Sequence, residues 1–320
     1  MSMPDFAAWR AETIAFSHDV YEHLSRTPQR ELPSQYFYDA VGSRLFEAIT
    51  ELQEYGLTRA DERLIRRHAA EIAAGADYPA ALAELGSGTG RKTRWLLETL
   101  PQSTYYPIDL SSTALESCRN DLEHCASVEP LCMGYLQGLA YAASRCNGNG
   151  PLLVLFLGST IGNFDRTGAL DFLIEVRKRM RAGDSLLLGT DLIKPVETLL
   201  LAYDDPAGVT AAFNLNLLAR VNRELCGDFD LRRFRHEARW NDLERRIEMH
   251  AVSTSRQAVS IPATGLRFVM EEGESIRTES SHKYSIRDVD RLARLSGFSV
   301  RRRWLDAEWP FAESLLTVTL

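Results

Sequence analysis

Apolar and polar positions change rhythm three times along the chain. Up to about residue 75 the apolar residues recur at helical spacing. They predict helices over His18 to Ser25, Gly42 to Leu52 and Arg59 to Ala74, the last opened by Thr58 as its N-cap. An aromatic run, Tyr36-Phe37-Tyr38, lies between the first two. After Pro79 short apolar runs alternate with helical stretches, the signature of parallel βα units. The runs are Ala81 to Leu85, Thr104 to Ile108, Leu152 to Leu157 and Ser185 to Leu188. The Leu152 run is almost wholly large and apolar, as a central strand covered on both faces must be. Its helix is predicted over Gly168 to Arg181, closed at the Gly183-Asp184 turn.

From Lys194 to about Tyr284 the alternation stops. Long amphipathic stretches, Val196 to Tyr203 and Val209 to Glu224, give way to strand-like segments around Arg246 to Ser253 and Leu266 to Met270. From Ser285 the earlier style resumes, with a helix over Ile286 to Ser296, a stop at Gly297, and strands over Phe298 to Trp304 and Ser314 to Leu320. The pattern predicts an α/β, doubly wound, Rossmann-like sheet interrupted by an inserted segment.

Composition narrows the classes. The chain has 320 residues, 45% apolar and 25% charged, the mixture of a globular enzyme with a sizeable core. A net charge of -7 argues against a nucleic-acid partner, which needs surplus Lys and Arg. The basic cluster Arg301-Arg302-Arg303 is short and reads as a solvated element end. The five cysteines form no C-x-x-C pair, so neither a disulfide framework nor a metal site is expected. Cys118, Cys125 and Cys132 recur every seven residues, which on a helix means one buried face. No window has the length of a membrane span, and the N-terminus lacks a basic start followed by an apolar core. A cytoplasmic enzyme is expected, with no membrane partner.

The candidate chemistry starts at Glu84-Leu-Gly86-Ser-Gly88-Thr-Gly90-Arg91-Lys92. A strand runs into a glycine turn, and a helix follows; such turns let backbone approach a ligand closely. The dinucleotide fingerprint G-x-G-x-x-G requires glycine where Arg91 stands, so the fit to NAD is poor. The pattern E-x-G-x-G resembles class I methyltransferases that use S-adenosylmethionine (SAM). In those enzymes the turn lies against the amino-acid end of SAM, and a carboxylate ending the second strand binds the ribose hydroxyls. Asp109 stands at that place. The competing roles are an ion pair for Glu84 and a helix cap for Asp109.

Four further segments resemble a narrower family, the histidine-specific N-α-methyltransferases of ergothioneine biosynthesis. They are Tyr36-Phe-Tyr38-Asp-Ala-Val-Gly-Ser43-Arg-Leu-Phe46 with Glu54-Tyr55; Phe156-Leu-Gly158-Ser-Thr-Ile-Gly-Asn163; Leu188-Gly-Thr-Asp191 with Ala202-Tyr203 and Phe213-Asn214; and Arg246-Ile-Glu-Met249 with Thr278-Glu279-Ser-Ser281. The resemblance implies a SAM-binding domain over 60–194 and 285–320, and a histidine-binding domain over 1–59 and 195–284. It also implies site residues. Gly86, Lys92, Asp109, Gly134, Tyr135 and Gly158 would serve SAM. Asn163 and Tyr203 would hold the substrate carboxylate, Glu279 and Ser281 the imidazole, and Tyr55 and Met249 would line its pocket. Tyr38, near the α-amino group, is the candidate catalytic residue. The implied reaction is SAM-dependent N-α-methylation of L-histidine to hercynine by a monomer without a metal.

Two positions depart from the family pattern: Gly134 replaces an acidic residue near the adenine, which predicts weaker SAM binding, and Gly56 replaces a bulkier residue. Other readings stay open. Aromatic runs such as Tyr36 to Tyr38 usually belong to a core, Asn163 could cap a helix, Met249 could fill a core gap, and Glu279 sits in a Ser/Thr-rich stretch that reads as a surface loop. His282 is a competing base. A related enzyme for another amino acid, such as a tryptophan derivative, and a non-catalytic SAM or amino-acid binding module are the alternatives.

Overall fold

The computed structural model describes residues 6–146 and 150–318, with side chains from residue 13 onward. In chain order the elements begin with α1 (Phe6–Leu24), β1 (Arg30–Glu31), α2 (Ala40–Glu51) and α3 (Gly56–Gly75). A βα series follows: β2 (Ala81–Leu85), α4 (Arg94–Leu97), β3 (Thr104–Asp109), α5 (Ser112–Leu122), β4 (Ser127–Val128), β5 (Leu131–Cys132), α6 (Tyr135–Arg145), β6 (Leu152–Phe156), α7 (Arg166–Lys178) and β7 (Ser185–Asp191). Next come α8 (Val196–Tyr203), α9 (Val209–Leu225), β8 (Phe234–Asn241), β9 (Arg246–Ser253), β10 (Gln257–Ile261), β11 (Leu266–Met270) and β12 (Ser275–His282). The chain closes with α10 (Ile286–Leu295), β13 (Phe298–Asp306) and β14 (Phe311–Val318). These elements form two compact units, Gly56–Lys194 with His282–Leu320, and Met1–Tyr55 with Pro195–Ser281.

The first of these units is built on an eight-stranded sheet in the order β13-β14-β7-β6-β2-β3-β4, with β5 also paired to β3. Strands β7, β6, β2 and β3 run parallel, whereas β14 and β13 are antiparallel. Every residue of β2, β6 and β7 is buried, the burial on both faces that helices on either side of a parallel sheet impose. Strand order reverses between β2 and β6, and the carboxyl ends of two such strands form the crevice where doubly wound sheets bind ligands.

The other unit has a four-stranded sheet, β1-β12-β9-β8, and a separate hairpin of β10 and β11. Strand β12 was not apparent in the pattern because Ser, Thr and Arg fill it. Its buried positions are Ile276, Thr278, Ser281 and His282, so polar residues take places that apolar residues would mark.

Several boundaries differ from the sequence expectations for local reasons. Helix α1 begins at Phe6 rather than His18, since it carries no one-sided apolar stripe to reveal it. Helix α2 is capped by Asp39, whose carboxylate accepts from the Gly42 N–H at 2.7 Å. Thr58 caps nothing, because α3 already starts at Gly56, where a Cβ would lie 2.2 Å from the Trp309 ring. A bulkier residue at 56 would displace that indole. Asp165 opens α7 and Ser285 opens α10 through a capping box. The helix expected after the glycine turn is the single turn α4. Cys118 is buried on α5, but that helix ends at Leu122; Cys125 lies beyond it and Cys132 is exposed in β5, so the three share no face. The arginines at 301–303 lie along β13 in ion pairs with Asp77, Glu71 and Asp290. The end of the strand predicted over 314–320 lies outside the described residues.

Candidate active site

In the eight-stranded unit the candidate cofactor residues gather at the carboxyl ends of β2, β3 and β6. Parallel pairing sets Leu85 beside Ile108, so the chain leaving β2 turns alongside the end of β3. The Gly86 and Ser87 N–H groups both donate to the Ile108 carbonyl, at 2.8 and 3.2 Å. Asp109 ties down the turn: its Oδ2 accepts from the Gly88 N–H at 2.9 Å and its Oδ1 from the Ser111 N–H at 2.9 Å. Ser111, not Asp109, caps α5. Gly86 has φ +77, a conformation side chains avoid, and a Cβ there would approach the Tyr135 hydroxyl to 3.0 Å. Around Gly88 the space is open, with nothing within 4 Å of where a Cβ would be.

Glu84, the acid of the motif, points away from solvent. It is fully buried in β2 and accepts from the Thr93 hydroxyl at 2.5 Å and from the Tyr105 hydroxyl. Burial pushes its carboxyl up to about 7, against the pull of those two hydrogen bonds. Glu84 thus fastens the backbone that follows the turn.

Lys92 binds Asp61 of α3, and the same Asp61 oxygen accepts from the Gly158 N–H at 2.8 Å. Burial alone would lower the Lys92 pKa; the adjacent Asp61 outweighs it and holds the ammonium above its ordinary value. Tyr135 packs edge-on against Phe156 and Phe172, and burial raises its phenol to about 12. Gly134 is the N-cap of α6 without a side chain to cap it, and nothing lies within 4 Å of its Cβ position.

Asn163 ends a 3-10 turn, Thr160–Asn163, that follows β6. The turn is pinned from the returning chain: His282 Nδ1–H donates to the Gly162 carbonyl at 3.0 Å and the Tyr284 hydroxyl to the Ile161 carbonyl at 3.3 Å. Asn163 caps no helix, since Asp165 does so. His282 is completely buried and works as a clamp on this turn, which removes it as a competing base.

A buried group that sequence reasoning did not single out closes β7. Asp191 Oδ1 accepts from Lys194 at 2.5 Å and from the Trp309 indole at 3.0 Å, while Lys283 stands 2.9 Å from Oδ2. Burial would raise the Asp191 carboxyl, yet the two ammonium groups hold it below its ordinary value; burial brings Lys194 down to about 8.

The other unit holds the remaining candidates. Tyr38 follows a 3-10 turn, is 40% exposed, and meets the edges of Phe46 and Phe213 at 5.5 and 5.9 Å between ring centres. Tyr55 is buried and lies edge-on to Phe46 at 6.5 Å and Tyr203 at 6.0 Å. One continuous run of rings therefore joins Tyr38 to Tyr203. The Tyr203 hydroxyl donates to Ser281 Oγ at 2.8 Å. Ser281 and Glu279 are two apart on β12 and share a sheet face, with Glu279 half-buried in the strand rather than in a surface loop. Met249 is fully buried on β9.

Beneath this face a polar network was missed, because its members come from four elements. The Thr278 hydroxyl donates to Asn214 Oδ1 at 2.6 Å, which leaves the Asn214 amide to donate to the His250 carbonyl at 3.0 Å and to His236 Nδ1 at 2.7 Å. His236 accordingly carries its proton on Nε2, which donates to the Tyr203 carbonyl at 2.8 Å. Burial lowers the His236 pKa and keeps the ring neutral. The network locks Tyr203 from its backbone and Thr278, the neighbour of Glu279, from its side chain.

Among the described residues no His, Cys, Asp and Glu cluster has the form of a metal site, and no helix is long and apolar enough to cross a membrane. Residues 16–318 match the family of histidine-specific, SAM-dependent methyltransferases. The histidine N-α-methyltransferase of Mycobacterium tuberculosis is 41% identical over 309 residues, 94% of each chain. That of Mycolicibacterium smegmatis is 40% identical over 324 residues, 98% of each chain. Among solved structures, a SAM-dependent methyltransferase from Clostridium acetobutylicum aligns with a TM-score of 0.49 at 12% identity, covering 87% of this chain and 99% of that one.

Proposed function

The chain belongs to the histidine-specific, SAM-dependent methyltransferases, and from that premise we propose how its residues methylate the α-amino group of L-histidine. The family match over nearly the whole chain is the observation that carries the activity, and with it SAM as co-substrate. Three successive transfers yield hercynine, the first step of ergothioneine biosynthesis.

The eight-stranded unit fits SAM. A carboxylate offers about four lone-pair positions, and the Gly88 and Ser111 amides take two at Asp109; the other two suit the paired ribose hydroxyls. The open space at Gly88 leaves room for a ligand against the turn. Gly86, Lys92 and Gly158 then serve the amino-acid end, and Tyr135 the adenine, next to Gly134. When bound, SAM supplies an electrophilic methyl carbon for in-line attack by a neutral amine.

The substrate side rests on chemistry that discriminates imidazole. A carboxylate at Glu279 pairs with a ring N–H, and a substrate with an apolar side chain would leave that acid partly desolvated and unmatched. Ser281, oriented by Tyr203, adds a second contact to the ring, and Tyr55 and Met249 supply apolar walls. Asn163 takes the role of donor to the substrate carboxylate, and Tyr203 joins it by turning its hydroxyl proton from Ser281 to the ligand while accepting from the Ser281 hydroxyl instead. Tyr38 orients the amine; because its ring is 40% exposed, the amine proton has water at hand. Positioning supplies most of the rate, since aligned reactants gain roughly 7 to 11 kcal/mol. The aromatic faces of Tyr38 and Phe46 tolerate the quaternary nitrogen of the product.

We take the enzyme to act as a cytoplasmic monomer without a metal or nucleic acid. Mass spectrometry of histidine incubated with SAM and the purified protein tests the reading. Hercynine and S-adenosylhomocysteine should accumulate, while tryptophan offered under the same conditions stays unmethylated. Histidine recovered unchanged would end the proposal.

A further inference from the structure

Beside the cofactor turn lies a buried acid pair to which neither the glycine pattern nor the roles above give a task. Asp61 on α3 and Glu313 on β14 are both completely buried. Antiparallel pairing sets Glu313 opposite Gly189 of β7, and the missing side chain at 189 makes room for it. A Cβ there would lie 2.8 Å from Glu313 Oε1 and 3.3 Å from the Gly158 nitrogen. The Glu313 carboxyl therefore rests over Gly189, next to the amide that Asp61 holds.

The hydrogen bonds divide unequally between the two acids. Asp61 Oδ2 accepts from both Lys92 Nζ and the Gly158 N–H. Asp61 Oδ1 and both Glu313 oxygens, all buried, meet no N–H or hydroxyl donor from other residues. With Glu313 resting beside the amide that Asp61 holds, the acceptors of the two carboxyl groups are left to one another, and a hydrogen bond between them requires one proton. The Lys92 ammonium is hydrogen-bonded to Asp61 and not to Glu313, so the proton belongs on Glu313. Charge counting agrees, because Glu84 is also close and three ionised carboxyls would burden the one ammonium of Lys92.

We propose that Glu313 is held protonated and donates its hydroxyl to Asp61 Oδ1, making Asp61 a positioning residue. Its single charge, aimed by Glu313, sets the Lys92 ammonium and the Gly158 amide where they meet the amino-acid end of SAM. The inference rests on the SAM contacts assigned above to Lys92 and Gly158. Burial and the Asp61 charge both raise the Glu313 carboxyl well above its ordinary range, in the same direction.

Four substitutions and one spectrum test this. Glu313→Gln supplies an amide donor in place of the hydroxyl and should keep the SAM Kd within about twofold of wild type, whereas Glu313→Ala should weaken it about fivefold. Asp61→Asn should weaken SAM about tenfold or more while the histidine Kd moves less than about twofold. Infrared difference spectra of wild type against Glu313→Gln at neutral pH should show a protonated carboxylic acid lost in the variant, a readout available even if Asp61→Asn fails to fold. Glu313→Gln as damaging as Asp61→Asn, or no acid carbonyl in the difference spectrum, overturns the proposal. Should Asp61→Asn leave SAM binding intact while Lys92→Met weakens it, the positioning role fails and the cofactor site stands. If Lys92→Met also binds SAM normally, the site assignment itself is wrong.

Discussion

Removing the Asp109 carboxylate isolates the cofactor contact. In Asp109→Ala two outward acceptor positions disappear, and if each bonds a ribose hydroxyl as proposed, each is worth a charge-assisted strength of about 1.5 to 3 kcal/mol. Together they amount to about 3 to 6 kcal/mol, or roughly a hundred- to ten-thousandfold in the SAM Kd. The variant also strips the acceptor from the Gly88 and Ser111 amides, both half-buried, so some loss belongs to a loosened turn. Asp109→Asn separates the two effects. Its amide oxygen still accepts from Gly88, which keeps the glycine turn tied, while the amide nitrogen replaces the acceptor at Ser111 and the charge is gone; about ten- to a hundredfold should be lost. Isothermal titration with SAM and with S-adenosylhomocysteine reads both variants, and a histidine titration serves as control. A SAM isotherm for Asp109→Asn that overlays wild type would refute the ribose contact, whatever Asp109→Ala does, because only the turn would then depend on this residue.

Glu279→Ala should weaken histidine about ten- to a hundredfold, some 1.5 to 3 kcal/mol, with SAM affinity little changed; equal losses for both ligands in the same titrations would count against the imidazole assignment. Gly134→Asp restores the acidic residue and places a capping side chain at the start of α6 where the space is open, so the protein should gain about 0.3 kcal/mol in chemical denaturation and bind SAM more tightly. A destabilised variant would contradict the open cap. Because burial raises the Glu84 carboxyl from 4.5 to about 7, its favourable contribution is complete below pH 4.5 and is lost as pH rises through 7. Glu84→Gln should therefore gain on wild type by about 3 kcal/mol between pH 4.5 and 8 in urea melts, and a constant gap across that range would show Glu84 to be ordinary.

The geometry of the candidate cofactor turn was largely readable from local sequence. Strand, glycine turn and the next strand's terminal acid lie within Ala81 to Asp109, and their spacing alone determines which backbone groups meet. What local pattern could not supply was the support behind them. Asp61, Lys92 and Glu313 are joined only by folding, and a buried acid has no sequence signature distinct from a surface one. The single-turn helix α4 was equally hidden, because Arg94 to Leu97 continue into residues that favour helix yet lie in turns. Strand β12 shows a related blindness: alternation is legible when apolar residues mark one buried face, whereas here Thr278 and Ser281, buried on opposite faces, carry hydroxyls. The substrate residues were named by family resemblance alone.

That asymmetry has a physical basis. A shared co-substrate can be held by backbone amides and one carboxylate near a sheet's end, where strand order itself makes the crevice, so the residues come from one or two neighbouring βα units. A small amino acid offers few handles, and discriminating its side chain requires groups placed from many directions. Tyr38, Tyr55, Tyr203, Met249, Glu279 and Ser281 come from five separated stretches, and they are fixed by neighbours such as Asn214 and His236 that touch neither ligand in the proposed reading. Changing specificity within this fold then requires few substitutions on the substrate side. An acid that reads an imidazole penalises an apolar side chain by leaving a desolvated charge, an effect of about 1 to 3 kcal/mol or more. Replacing Glu279 alone would remove that penalty without creating affinity for a larger ring. A new substrate also needs space, and the buried Met249 is the flexible side chain whose replacement would provide it.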